Sequence, residues 1–160
     1  FKKHRLPGKH LGATNIMPVG PHRGKNLSPM QVRENLETVH QVWRLGYTHI
    51  RNSLRHGFYQ GWDLHAAQLP VRYAASAAFF LEQLQTSTTR LRNLVEQASK
   101  PTVSGDVFDD AATGQGLLNY FFRALNSGAI DPQDVEAAGV TVAEVRAGSF
   151  RTIIETRRGS

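Results

Sequence analysis

Apolar residues recur at helical spacing through much of this chain. Val32, Leu36, Val39, Trp43, Tyr47, Ile50 and Leu54 follow at intervals of three and four, which predicts one long amphipathic helix. Ser28-Pro29 marks its start, a hydroxyl at the N-cap and proline in the first turn. Gly57 marks its stop, Gly46 predicts a weaker or bent stretch, and Arg51 and Arg55 complement the helix dipole near the C-terminal end.

Beyond Gly57 the pattern changes. Phe58 to His65 is short, aromatic and interrupted by Gly61, which favours a short buried strand. Pro70 then opens a second helix rich in alanine and aromatic residues over 71–84. The run Thr86-Ser87-Thr88-Thr89 predicts a break, after which Leu91, Leu94, Val95 and Ala98 resume the apolar stripe up to Lys100-Pro101.

A third helix is expected from a cap at Asp109 or Asp110 to about Asn126, burying Leu117, Leu118, Phe121, Phe122 and Leu125 and closed by Ser127-Gly128. Asp131-Pro132 starts a short helix through about Ala138, and Thr141 with Glu144 fits a capping box. Phe150 to Glu155 has β character in Thr152, Ile153 and Ile154, and Ala13 to Val19 reads as a short strand and turn because Pro18 opposes a helix. The expected class is therefore mostly α with one or two short strands. Lone strands need partners, so they point either to a nearly all-α protein or to a sheet whose remainder lies elsewhere.

The regions divide as a basic loop-rich segment over 1–27, a helix-strand-helix unit over 28–100, a helical tail over 101–148 and a basic end over 149–160. Length and a 40% hydrophobic content suit one domain with a core. No apolar run approaches the roughly 20 residues that span a bilayer, so no membrane association is expected. The start, Phe1-Lys2-Lys3-His4-Arg5, lacks a methionine and an apolar stretch, and the chain reads as a processed product or fragment without a signal peptide. With no cysteine, disulfides, thiolate metal sites and cysteine nucleophiles are excluded, and a cytoplasmic location is expected.

Lysine and arginine number 19 against 13 acidic residues, a net charge of +6. The first 25 residues carry Lys2, Lys3, Arg5, Lys9, Arg23 and Lys25 with no acid, and the end carries Arg151, Arg157 and Arg158 against Glu155. These are either solvated ends or the footprint of a small basic helical module that binds RNA or a larger assembly. No nucleic-acid motif or interleaved aromatic pattern accompanies them. His49 and His56 share a helix face with no carboxylate at the right spacing, and most metal sites need three or four ligands. Neither a phosphate loop nor a nucleophile elbow is present.

One stretch is more specific. Gly61-Trp62-Asp63-Leu64-His65-Ala66-Ala67-Gln68-Leu69 resembles the eighth-strand motif of the citrate-lyase-beta and HpcH/HpaI-type aldolase superfamily, where a hydrophobic strand ends in Ile-His-Pro-x-Gln. Ser53 through Tyr73 is similar to an aldolase-like branch with Ser-Leu-x-x-Gly-Phe-Tyr-Gln-Gly-Trp-Asp-Leu-His-Pro-Ala-Gln-Leu-Pro-x-Arg-Tyr; Ala66 stands where that branch has proline. Ala13 to Gly20 and a scatter of positions from Ala112 to Ile130 resemble its flanking segments.

The resemblance implies the C-terminal portion of an α/β (TIM-type) barrel plus a helical tail. A complete barrel needs about 250 residues. It implies a carbon–carbon lyase acting on a 2-oxo-acid (pyruvate-like) or acyl substrate, with a divalent metal, Mg²⁺ or Mn²⁺, in the intact family. The family's metal-binding Glu and Asp and its enolate-gripping Arg lie on earlier strands, so this chain alone is expected to bind no metal, to be inactive, and to associate with the missing barrel portion or as a homo-oligomer. Barrel sites lie at the carboxyl ends of the strands. There His65 and Asp63 are the candidate catalytic pair, on one face of the expected strand, where an imidazole beside a carboxylate can move protons or orient a substrate oxygen. His65 equally suits a structural role, hydrogen-bonding the rim. Asn15, Tyr59, Trp62, Gln68 and Arg72 are the candidate substrate-binding residues.

Overall fold

The computed structural model describes residues 17–59, 63–99 and 107–159, the stretch 107–110 by its backbone alone. It is mostly helical. Among the described residues six α-helices run in chain order: α1 (Pro29–Arg55), α2 (Leu69–Ala98), α3 (Val107–Asn126), α4 (Pro132–Ala137), α5 (Val142–Ala147) and α6 (Phe150–Arg158), with a 3-10 turn at Ala66–Gln68 before α2. Among the described residues there is no β-strand.

The chain divides into two compact units, Phe1–Phe79 and Phe80–Ser160. In the first, Ser28 caps α1 by accepting from the Gln31 amide while the Gln31 side chain accepts from the Ser28 amide. The end of α1 is a Schellman turn: Phe58 N donates to Ser53 O and Gly57 N to Leu54 O. It requires the left-handed φ of +80° that Gly57 adopts. α1 runs unbroken through Gly46. Gly46 is buried, and a Cβ built there would meet Val71 of α2 at 3.4 Å, an ordinary van der Waals contact. Only part of the predicted α1 stripe is covered: Ile50 and Leu54 are buried, whereas Val32, Leu36 and Tyr47 are exposed.

The expected strand over Phe58–His65 is not formed by its described residues. Phe58, Tyr59 and Asp63 to His65 lie in coil and bends, and 60–62 lie outside the described residues. Of the expected strand at 13–19, Met17 to Val19 are coil and the rest lies outside the described residues, as do the candidates Asn15 and Trp62. The predicted break at 86–89 is also absent. Ser87, Leu91 and Val95 form one buried stripe at intervals of four, and Thr89 Oγ1 donates to Gln85 O, so the hydroxyls are absorbed within a continuous helix.

In the second unit α3 packs on α5 and α6, and α4 on α5. Leu118, Phe121, Val135 and Val145 are fully buried at its centre, but Phe122 faces solvent, contrary to the expected stripe. Asp109 and Asp110 lie inside α3 rather than at its cap, since the helix already runs from Val107. Phe150–Glu155 is helical despite its β-branched residues. Ser149 caps it, and Phe150, Ile153 and Ile154, at i, i+3 and i+4, are all buried. Burial of that face outweighs the local β preference.

Candidate functional site

The most specific sequence stretch becomes a tightly tied corner between α1 and α2. Arg72, in the first turns of α2, reaches back nine residues to Asp63. Its Nε donates to both carboxylate oxygens at 3.2 and 3.1 Å, and its Nη2 to Oδ1 at 3.1 Å. Only about a tenth of either side chain is exposed. A fork-to-carboxylate pair of this kind is directional, and the apolar surroundings strengthen it.

The next residues form a capping box built from an unusual residue. His65 Nδ1 accepts from the Ala67 amide at 3.1 Å, and Gln68 Oε1 accepts from the amides of Leu64 and His65 at 2.7 and 3.0 Å. Gln68 is buried, whereas His65 is exposed. From the other side Trp43 Nε1 donates to Ala67 O at 3.1 Å. Every bond ties down backbone that would otherwise be left unpaired between the helices.

The structure therefore brings Asp63, His65, Gln68 and Arg72 into one corner, while Tyr59 stands half-exposed on the preceding coil. It does not build the expected proton relay. The Asp63 carboxylate is committed to Arg72 and the His65 ring to a backbone amide. Trp43 belongs to the same corner but was hidden from the sequence, since its spacing marks it only as part of the α1 stripe. Pro18, Trp43, Gly46, Asp63, Gln68 and Val71 line a cleft with room for about one water molecule, too small for a 2-oxo acid.

A second group of polar contacts concerns the basic end. Arg157 Nη2 donates to Gly139 O and to both carboxylate oxygens of Glu144, each at 3.0 Å; Arg158 Nε donates to Ala98 O; and Arg151 pairs with Glu155. Arg157 and Arg158 tie α6 to its own unit, whereas Arg151 pairs within the helix.

Among the described residues no group of three or more His, Asp or Glu is placed to hold a metal ion. No helix among them is long and apolar enough to cross a membrane. No curated protein and no solved structure matches this chain. One family model does, over residues 10–153, and it covers the whole corner described above. This chain belongs to that family, described as a domain of unknown function (DUF6986).

Proposed function

We propose that this chain is the carboxy-terminal part of an aldolase/lyase-type barrel enzyme that cleaves or forms a carbon–carbon bond in a 2-oxo acid or acyl substrate. The observation that carries the reading is the corner itself. The residues that the Ser53–Tyr73 resemblance singles out for a barrel rim, Asp63, His65, Gln68 and Arg72, fall within ten positions and pair by hydrogen bonds, Asp63 with Arg72 and His65 with Gln68.

In the cleavage direction a base takes the proton of the substrate hydroxyl. The carbon–carbon bond then breaks to give a carbonyl product, and the electron pair remains on an enolate that is afterwards protonated. The enolate oxygen needs hydrogen-bond donors held in place before the reaction. The corner supports the reading by being rigid and by exposing one imidazole. The reading also implies a divalent metal. The described residues offer no donor set that fits one, so no step is assigned to a metal here. In the same reading the protein is cytoplasmic and completes its site with further barrel or with a second copy.

The test is a cleavage assay on the protein produced from its complete reading frame, with Mg²⁺ or Mn²⁺ and a panel of two substrate sets: 4-hydroxy-2-oxo acids, read by pyruvate release, and 3-hydroxyacyl thioesters, read by release of the carbonyl product and the shortened acyl thioester. Turnover on at least one substrate is expected. A folded protein inactive on the whole panel rules the reading out.

A further inference from the structure

His65 is an exposed imidazole in the hydrogen-bonded corner between α1 and α2, and its ring is held by a partner that can only donate. The Ala67 backbone N–H points at Nδ1 at 3.1 Å. A backbone amide has no acceptor capacity, so Nδ1 must present its lone pair. In a neutral imidazole the single proton then sits on Nε2. His56, just before the stretch, shows the opposite case: its Nδ1 lies 2.7 Å from Asn52 O, which can only accept, so the proton is on Nδ1. The two histidines that bracket residues 57–64 are thus fixed in opposite tautomers.

We propose that His65 serves as a fixed hydrogen-bond donor, presenting Nε2–H to a carboxylate or enolate oxygen of a small planar oxo acid, and not as the general base. The inference rests on the proposed aldolase/lyase reading and names how this residue would meet its substrate. Four restraints hold the ring's backbone. Gln68 accepts from the His65 and Leu64 amides, Trp43 donates to Ala67 O, Arg72 pins Asp63, and the Ala67 amide fixes Nδ1. Nε2 has no hydrogen-bond partner among the described residues, and the residue is exposed. A side chain whose near nitrogen is locked and whose far N–H is open meets the requirement for a preorganised donor.

The variant His65→Ser separates this role from capping. Serine accepts from the same amide, and Ser-Ala-Ala-Gln with Gln68 is an ordinary capping box, so the fold is kept while the distal donor is lost. The experiment uses the protein from its complete reading frame, labelled with ¹⁵N-histidine, at mildly alkaline pH. The probe is oxalate, a planar dianion shaped like a pyruvate enolate, with Mg²⁺ present.

The His65 signals should report Nε2–H, those of His56 should report Nδ1–H, and oxalate should shift only the former. In His65→Ser the melting temperature should hold while oxalate affinity falls about ten- to hundredfold, the worth of one hydrogen bond to a charged group. An Nδ1–H tautomer at His65, an unshifted His65 signal, or unchanged oxalate affinity in His65→Ser each overturns the proposal. If oxalate binding depends on His65 but no aldol substrate is turned over, the aldolase reading fails and the donor assignment stands.

Discussion

Arg72 holds both carboxylate oxygens of Asp63 across nine residues of chain, with about a tenth of either side chain exposed. Removing one partner of such a pair strands the other charge away from water. Arg72→Ala is expected to lower the stability of the first unit by about 3 kcal/mol. Arg72→Lys keeps the charge but not the planar fork, and about 1–2 kcal/mol should still be lost. Both tryptophans, Trp43 and Trp62, fall within Phe1–Phe79, so urea unfolding followed by tryptophan fluorescence reads this unit. Equal stability of Arg72→Lys and the parent protein would show that the fork geometry is unimportant.

Two glycines of α3 should respond in opposite directions to the same change. A Cβ on Gly114 would lie 2.4 Å from the ring of Phe150, which is buried and cannot withdraw; a Cβ on Gly116 meets nothing within 4 Å. Alanine favours a helix over glycine by about 1 kcal/mol. Gly116→Ala should therefore stabilise by up to about 1 kcal/mol, whereas Gly114→Ala should destabilise by about 1–3 kcal/mol through overpacking. Far-ultraviolet circular dichroism during urea unfolding distinguishes the two signs.

The Tyr120 hydroxyl, buried in the second unit, donates to Phe80 O at 2.5 Å, and the two rings meet edge-on with centroids 5.5 Å apart. Tyr120→Phe removes the hydroxyl but keeps the ring contact. The loss should be about 1 kcal/mol, because the Phe80 carbonyl lies inside α2, and Tyr120→Ala should cost about 3–5 kcal/mol through the cavity left behind. Thermal melts of the two variants should rank in that order.

Glu144 gives the second unit a pH dependence. Burial alone would raise its pKa. The hydrogen bond from the Thr141 amide, the hydrogen bond from Arg157 and the Arg157 charge outweigh that and hold the carboxyl below the ordinary glutamate range. A carboxyl whose folded pKa is depressed stabilises the fold above its unfolded pKa, and that contribution is lost as pH falls through the folded value. The parent protein should therefore exceed Glu144→Gln in urea midpoint at neutral pH. The gap should close as pH drops from the ordinary glutamate range downward. A gap independent of pH would assign the effect to packing.

Much of the helical plan was legible because helix starts are local chemistry. Ser28-Pro29, Asp131-Pro132 and the Thr141–Glu144 pair announce helix starts; each forms a capping box, which the sequence predicted at Thr141–Glu144. The positive φ at Gly57 and Gly128 marks two helix ends for the same reason. The corner at 63–72 was recognisable as the chain's most specific stretch from residue order alone.

What the sequence could not reveal depends on partners far along the chain. Local β preference at Thr152, Ile153 and Ile154 yields to a helix because their apolar face finds α3, where Gly114 leaves room for Phe150. The hydroxyl run at 86–89 does not break α2 because Ser87 continues the stripe of Leu91 and Val95. The barrel resemblance, with strand alternation, put Asp63 and His65 on one face as a proton-handling pair, since alternation assumes an extended backbone. Tertiary structure gave Asp63 to Arg72 and the His65 ring to the Ala67 amide, with Trp43 closing the turn from 24 residues away. By itself the sequence determined where α1, α4 and α5 begin and where α1 and α3 end. Which atoms of the corner residues are occupied and which remain open was decided by contacts that exist only once the chain is folded.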